Sequence, residues 1–454
     1  MHRSRLLIVA AAMITLAACQ SDPDPKDRVS PRSGASPVDV GDLPPHTSTL
    51  TPYPTPKASE MEAPDGFEPV FAEHIARHGA RALTNGELLE DTIALWEVAR
   101  DADALTAAGK RFGPDARALR AAMEKVGFGQ LSTLGQEEMQ GLGARTGKRL
   151  SSMFDAAIED GAKVDVIDSE MRRAVDSARN FSVGLRSTQP DLEIEPTESN
   201  EDMLLFHGED DEYEDFLEDG PWRSAYNQAR KMSGIDEAVI DTLEYLYEPD
   251  FVAGIDRKHF YAEGIFDVYR GGPAMSRDID VDTTRLMPEK AAEVFAYVDD
   301  AKFFYARGPG IEGDDGSYQA ARIVLDDFFD AIDDRLLGRG DHPHAAVYRF
   351  AHAEEIAPFA ALLGLPGADE PGKPGEIYTY ENNDFRVSRI AQLSSNIEWV
   401  VWRKGDTHIV SVSHNEVQTT VGRGCEPYQD TKNFYELEEL RTCLGASVDT
   451  TPAS

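Results

Sequence analysis

The chain has 454 residues, of which 41% are hydrophobic and 28% charged, and a formal net charge of −37. That is enough for a large core or two domains, and the acidic balance argues against a nucleic-acid or anionic-membrane partner recognised by bulk charge. It leaves room for an anion held by a local cation cluster, because distant charges are screened beyond about 8 Å at physiological salt.

The first five residues carry Arg3 and Arg5, and Leu6–Ala18 is apolar but too short for a comfortable membrane span. The stretch ends Leu16-Ala17-Ala18-Cys19, which resembles a bacterial lipobox. The resemblance implies cleavage before Cys19 and lipid attachment to its thiol; the alternative is an ordinary signal peptide with an incidental cysteine. Residues 1–18 are therefore expected to be a signal peptide. The mature chain is expected to be exported and lipid-anchored in the bacterial cell envelope or at the surface, meeting a membrane only through that lipid. Residues 19–48, rich in Pro, Ser, Asp and Gly, read as a disordered tether.

The folded body starts near Thr49. Pro69–Ile75 is an apolar run suited to a core strand, and Gly86–Ala99 places Leu89, Ile93 and Trp96 at helical spacing, with Thr84 or Asn85 as the cap. Between them lies Arg77-His78-Gly79-Ala80-Arg81. A histidine between two arginines is an unfavourable cluster unless a dianion sits among them, and planar guanidinium forks match phosphate oxygens two at a time. Alone the pattern could also be a basic surface turn. Gly79 is expected to let the backbone approach the anion or take positive φ. His74 and His78 do not read as a metal pair, because four residues on a strand span about 13 Å at about 3.3 Å each.

Helices are expected over Gly113–Val126 and Gln136–Leu150, the latter capped by Ser132 or Thr133. Val164–Ile167 is a second core strand, followed by a turn with Arg172 and Arg173 and a helix to about Leu185. Residues 193–341 are acidic and helical in pattern, without the rhythm of a parallel sheet, and read as a mainly helical cap insertion. Ala345–Ala351 is a third core strand; it ends in His352-Ala353-Glu354 and leads into another helix. Ile397–Arg403 and His408–Ser413 form a hairpin at the sheet edge. Cys425 and Cys443, the two cysteines besides Cys19, are best read as one disulfide in an exported chain, the loop closure contributing roughly 3 kcal/mol.

The RHGxR segment resembles the signature of the histidine phosphatase superfamily, in its acid-phosphatase and phytase branch. The strand-turn-helix step at Arg173 and the H-A-E triplet at His352 extend the resemblance, and H-A-E is similar to the multiple inositol polyphosphate phosphatase group. The resemblance spans roughly Thr49–Gly445. It implies an α/β fold: a histidine-phosphatase-like sheet flanked by helices, with a core over 49–192 and 342–454 and the cap at 193–341. It also implies that His78 is the nucleophile, that Arg77, Arg81, Arg173 and His352 hold the phosphate, and that Glu354 is the proton donor. Arg172 is the less favoured neighbour of Arg173. One departure is Ala82-Leu83, where the group often has an aromatic residue and a proline; this concerns the pocket wall.

The expected chemistry is phosphate monoester hydrolysis through a phosphohistidine, with no metal and no cofactor called for. A phosphorylated small molecule, an inositol polyphosphate such as phytate, is the expected partner. Lys302, Arg307, Arg257 and Lys258 are candidates for contacting its further phosphates. Activity is expected to extend into acidic pH, with His78 neutral and Glu354 protonated when substrate is bound. The alternatives are a broad-specificity acid phosphatase, a phosphotransferase or mutase of the same superfamily, and a non-catalytic polyphosphate-binding lipoprotein.

Overall fold

Strand β1, Glu68–Arg77, is buried from Phe71 to its end, because both faces of its sheet are covered. Phe71 and Ile75 join one core cluster, whereas Ala72 and Ala76 join another, as the two-residue period of a strand requires. The computed structural model describes residues 45–54, 63–195, 198–339 and 343–446. The expected signal peptide (1–18), Cys19 with its expected lipid attachment, and nearly all of the expected tether lie outside the described residues.

After β1 come α1 (Glu87–Asp101), α2 (Gly109–Val126), α3 (Thr133–Arg149) and α4 (Ser151–Asp160), then β2 (Lys163–Asp168) and α5 (Arg172–Thr188). The two-residue β3 (Glu198–Ser199) opens the helical stretch. It contains α6 (Glu201–Leu204), α7 (Phe206–Glu209), α8 (Asp211–Asp219), α9 (Trp222–Met232), α10 (Ile235–Leu246), α11 (Pro249–Ala253), α12 (Lys258–Ala274), α13 (Glu289–Arg307) and α14 (Arg322–Leu337). The chain then re-enters the sheet with β4 (His344–Ala351), continues through α15 (Ala353–Leu363) and α16 (Val387–Ile390), and adds β5 (Asn396–Lys404), β6 (Thr407–His414), β7 (Val417–Thr419) and β8 (Phe434–Glu436) before α17 (Leu437–Cys443).

The sheet order is β3-β2-β4-β1-β5-β6-β7, with β8 also paired to β6. This is a mixed α/β sheet flanked by helices. Strands β2, β4 and β1 are parallel, with Arg77 opposite Ala351 and Phe350 opposite Asp168. Three chain segments therefore leave the sheet side by side at His78, Ser169 and His352. The carboxyl ends of neighbouring parallel strands are where ligand sites of such sheets gather.

Three details differ from the sequence reading. Helix α1 starts after Gly86, with no side-chain cap from Thr84 or Asn85. The β5–β6 hairpin forms, but β5 lies inside the sheet between β1 and β6, so only part of the hairpin is near the edge. Gly79 is not among the positive-φ residues. Its need is steric: a Cβ there would lie 2.6 Å from the Gly135 carbonyl, and one at Gly135 would lie 2.0 Å from that of Ala80. The motif loop thus presses directly on the first turn of α3, which Ser132 caps by accepting from the Gly135 N–H.

Within the helical stretch, α10, α12 and α13 share a second core with α1 and α2. Helix α14 instead packs on the sheet, where Phe328 and Phe329 meet Trp399. A disulfide joins Cys425 to Cys443 at the start and end of the carboxy-terminal segment.

Candidate active site

His78 follows β1 directly and is 2% exposed. Its N–H donates to the Ala351 carbonyl at 3.0 Å, which continues the β1–β4 ladder by one step, and its own carbonyl accepts from Ser394. The Nδ1 atom lies 3.0 Å from the Gly79 carbonyl oxygen. A carbonyl only accepts, so Nδ1 carries the proton and Nε2 keeps its lone pair. Burial holds the imidazole well below its usual range, and Arg77, Arg81, His352 and Arg173 push it further the same way. His78 is therefore neutral across the physiological range, as a nucleophile requires.

The arginines come from three places. Arg77, the last residue of β1, donates from Nη1 to the carbonyls of Thr49 and Ala391 at 2.5 and 2.6 Å. It is pulled down to about 9 by burial and by Arg81 and Arg173, against the opposing charge of Glu354. Arg81 is pulled down to about 10, by burial and then by Arg173; its Nε is buried without a partner. Arg173, in the first turn of α5, donates from Nε to Nδ1 of His352 at 3.2 Å. Neighbouring Arg172 is exposed and pairs with Asp176 instead. The two neighbouring arginines thus have different surroundings.

His352 starts α15. Because Nδ1 accepts from Arg173, Nε2 carries the proton and donates to Ser169 Oγ at 2.8 Å. The His78 and His352 rings lie 5.4 Å apart, edge to face. Glu354, two residues further on in the first turn of that helix, is partly exposed. Burial pushes its carboxyl up, but Arg307, His207, Arg77 and His352 together outweigh this and hold it at about 2. The sequence reading expected a protonated donor with substrate bound. The cationic surroundings favour the carboxylate in the site without substrate, whereas that expectation concerns the site with a phosphate dianion beside the carboxyl.

The four cap candidates divide. Arg307, at the end of α13, is the strongest charge acting on Glu354, and its Nε is buried without a partner. Lys302 is exposed on α13. Arg257 stacks over Phe260 at 3.6 Å, and Lys258 donates to the Ile255 carbonyl at 2.6 Å; both are occupied at the start of α12. His74 is wedged between Phe181, Tyr348 and Phe350 and is a core residue.

Sequence reasoning missed several supporting groups. Buried Glu138 of α3 accepts from the N–H groups of Ala80 and Tyr53 and from Ser394 Oγ, at 2.8, 2.9 and 2.7 Å. Ser177 of α5 accepts from the Gly79 N–H and donates to the Arg173 carbonyl. Buried Glu355 accepts from the His352 N–H at 3.1 Å and binds His207 of α7 through its other oxygen. The spacing of His352 and Glu355, a potential cap and its N3 acid, was the available signal for Glu355. Nothing local marked His207.

Residues 70–233 match the histidine phosphatase superfamily (branch 2). Multiple inositol polyphosphate phosphatase 1 of Gallus gallus is 22% identical over 96% of this chain and 93% of its own length. The crystal structure of Bifidobacterium longum multiple inositol polyphosphate phosphatase complexed with inositol hexasulfate superposes with a TM-score of 0.80 at 26% identity, covering 88% of this chain and 97% of that one. The phytase from D. castellii shares the fold, with a TM-score of 0.58 at 13% identity over 88% and 84% of the two chains. The chain carries a histidine phosphatase superfamily (branch 2) domain, has multiple inositol polyphosphate phosphatases among its relatives, and is a histidine-type phosphatase.

Proposed function

We propose that this protein hydrolyses inositol polyphosphates, phytate-like molecules, through a phosphohistidine intermediate. The observation that carries the reading is the surroundings of His78. Its Nδ1–H is fixed on the Gly79 carbonyl, and the charges of Arg77, Arg81 and Arg173 converge on the ring. Nε2 attacks phosphorus in line as the ester oxygen leaves, and the three arginines hold the equatorial oxygens, joined by His352 when its Nε2–H turns from Ser169 Oγ to the phosphate. An alkoxide leaving group needs a proton, which Glu354 delivers once the bound phosphate has raised its affinity for one. Water then attacks the phosphohistidine, and the Glu354 carboxylate takes up its proton.

The substrate class is supported by the inositol hexasulfate complex of the B. longum relative and by the unpartnered Nε of Arg307 beside Glu354. The test is phosphate release from phytate and from an aryl phosphate, with chelator present, by wild type and His78→Ala. Loss of release in the variant with both substrates supports the reading. Release that survives in the variant removes His78 as nucleophile, and release abolished by chelator points to a metal enzyme. Comparable rates on many unrelated monoesters would favour the broad-specificity alternative.

The amino-terminal pattern ending in Cys19 supports export and lipid anchoring, and the Cys425–Cys443 disulfide suits an oxidising compartment. Labelling with a radioactive fatty acid, lost in Cys19→Ser, is the matching test.

A further inference from the structure

The helical stretch contributes an imidazole, His207, to the neighbourhood of the proposed proton donor. His207 lies in α7, a four-residue helix docked against the start of α15. Its Nδ1 is hydrogen-bonded to Glu355 Oε1, and Glu355 Oε2 accepts the His352 N–H. The His207 and His352 rings are 6.4 Å apart. One carboxylate thus ties the ring of α7 to the backbone that begins the His352-Ala353-Glu354 segment.

We infer that His207 is a positioning residue for Glu354: held by Glu355, its ring sets the positive charge that the proton donor faces. This rests on the phosphatase reading above. The ring has the surroundings for the task. The groups that face it are Glu355, Glu354 and His352 at the start of α15 and Arg307 at the end of α13. Tyr213 of α8 and its capping residue Asp210 lie in the next helix, Glu209 ends α7 itself, and Glu201 and Asp202 open α6. The turn Gln319–Ala321 packed behind it carries no charge. Burial disfavours the imidazolium, but the bond to Glu355 and the charges of Glu355 and Glu354 outweigh that and raise its proton affinity. The bond to Glu355 thus favours the protonated ring beside Glu354, and a charge there lowers the pH at which the donor can be loaded.

The device gives a reason for an acid at this position: burial pushes the Glu355 carboxyl up, and the bonds from His207 and the His352 N–H oppose that. A neutral partner would accept from the His352 N–H equally well but would not hold a charge on His207.

The experiment compares kcat against pH for wild type, His207→Gln and His207→Lys, on phytate and on 4-nitrophenyl phosphate. Gln removes the charge and keeps a hydrogen-bonding side chain; Lys keeps the charge. With phytate, the limb on which kcat falls at rising pH should move up by about one pH unit in His207→Gln, the effect of one removed charge several ångströms away. It should return toward the wild-type position in His207→Lys. With 4-nitrophenyl phosphate, whose leaving group needs little protonation, the limb should stay in place. A uniform loss of kcat in His207→Gln with an unmoved limb overturns the inference, as does an equal shift in both variants. If His207→Gln does not fold, His207→Asn carries the same comparison. Absence of phosphate release by wild type would instead overturn the phosphatase reading itself.

Discussion

Arg173 and His352, which are 179 residues apart in sequence, meet through a single hydrogen bond from Nε to Nδ1 at 3.2 Å. The bond exists because Asp168 and Phe350 are register partners in neighbouring parallel strands, so the turns that follow them emerge side by side. It places the lone pair of His352 on a guanidinium, and a phosphate oxygen would compete for that same donor.

Replacement of Arg173 tests that arrangement. Arg173→Ala should lower kcat/KM on the order of 10²–10³-fold, as removal of one preorganised transition-state donor does. Arg172→Ala removes only the exposed pair with Asp176 and should stay within about threefold of wild type. Steady-state kinetics on one substrate decides it; equal losses in the two variants would mean that the wrong arginine has been assigned.

Phosphate should stabilise the fold. Arg77, Arg81 and Arg173 each make the others' charge less favourable, and a dianion among them removes that repulsion. Inorganic phosphate at about 100 times its dissociation constant should add about 2.7 kcal/mol of stability. The expected observation is a rise in Tm with phosphate concentration in wild type, largely lost in Arg81→Ala. A Tm insensitive to phosphate up to high millimolar concentration would argue against an anion site here.

The residues that touch the proposed chemistry were singled out by the family resemblance of the segments that follow three strand ends. Strand periodicity located the ends of β1, β2 and β4, and an arginine or histidine immediately beyond an apolar run has few structural uses. The groups behind them were not legible. Glu138 lies on the face of α3 that meets the motif loop, but its helix looks like any amphipathic helix until the fold shows that Gly79 and Gly135 touch. His207 sits in a helix of four residues, too short for a periodic signal, and reaches its partner across 148 positions. Distant pairings of this kind depend on how the helical stretch docks, which local pattern does not encode.

Glu138 should be required for the shape of the motif loop. It satisfies two backbone donors and one hydroxyl at a buried position. Glu138→Ala leaves buried donors unpaired and should cost about 3 kcal/mol, within the range for such groups. Glu138→Gln can still accept through its carbonyl oxygen, but its amide must face one of the donors, so an intermediate loss is expected. Denaturant unfolding ranks the three proteins. A stability order in which Ala equals Gln would show that the carboxylate's hydrogen bonds are not what holds the loop.

Asp300 provides a pH test away from the proposed chemistry. It is buried in α13, where its carboxylate accepts from the Tyr380 hydroxyl at 2.7 Å and the Val387 N–H at 2.9 Å. Burial pushes it up to about 7 despite those bonds, from an ordinary value of 3.8. A carboxyl raised in the folded state binds its proton more tightly there than in the unfolded chain. Its contribution is therefore fully present below pH 3.8 and is lost as pH rises through about 7. Asp300→Asn is neutral at every pH and removes that slope. Relative to the variant, wild type should lose stability steadily between about pH 4 and 7, on the order of a few kcal/mol. The measurement is Tm against pH for both proteins, with the difference between the curves isolating this one group from every other titration in the chain. Parallel curves across that window would mean that Asp300 ionises in the folded protein at its ordinary pH, and that the two hydrogen bonds fully offset its burial.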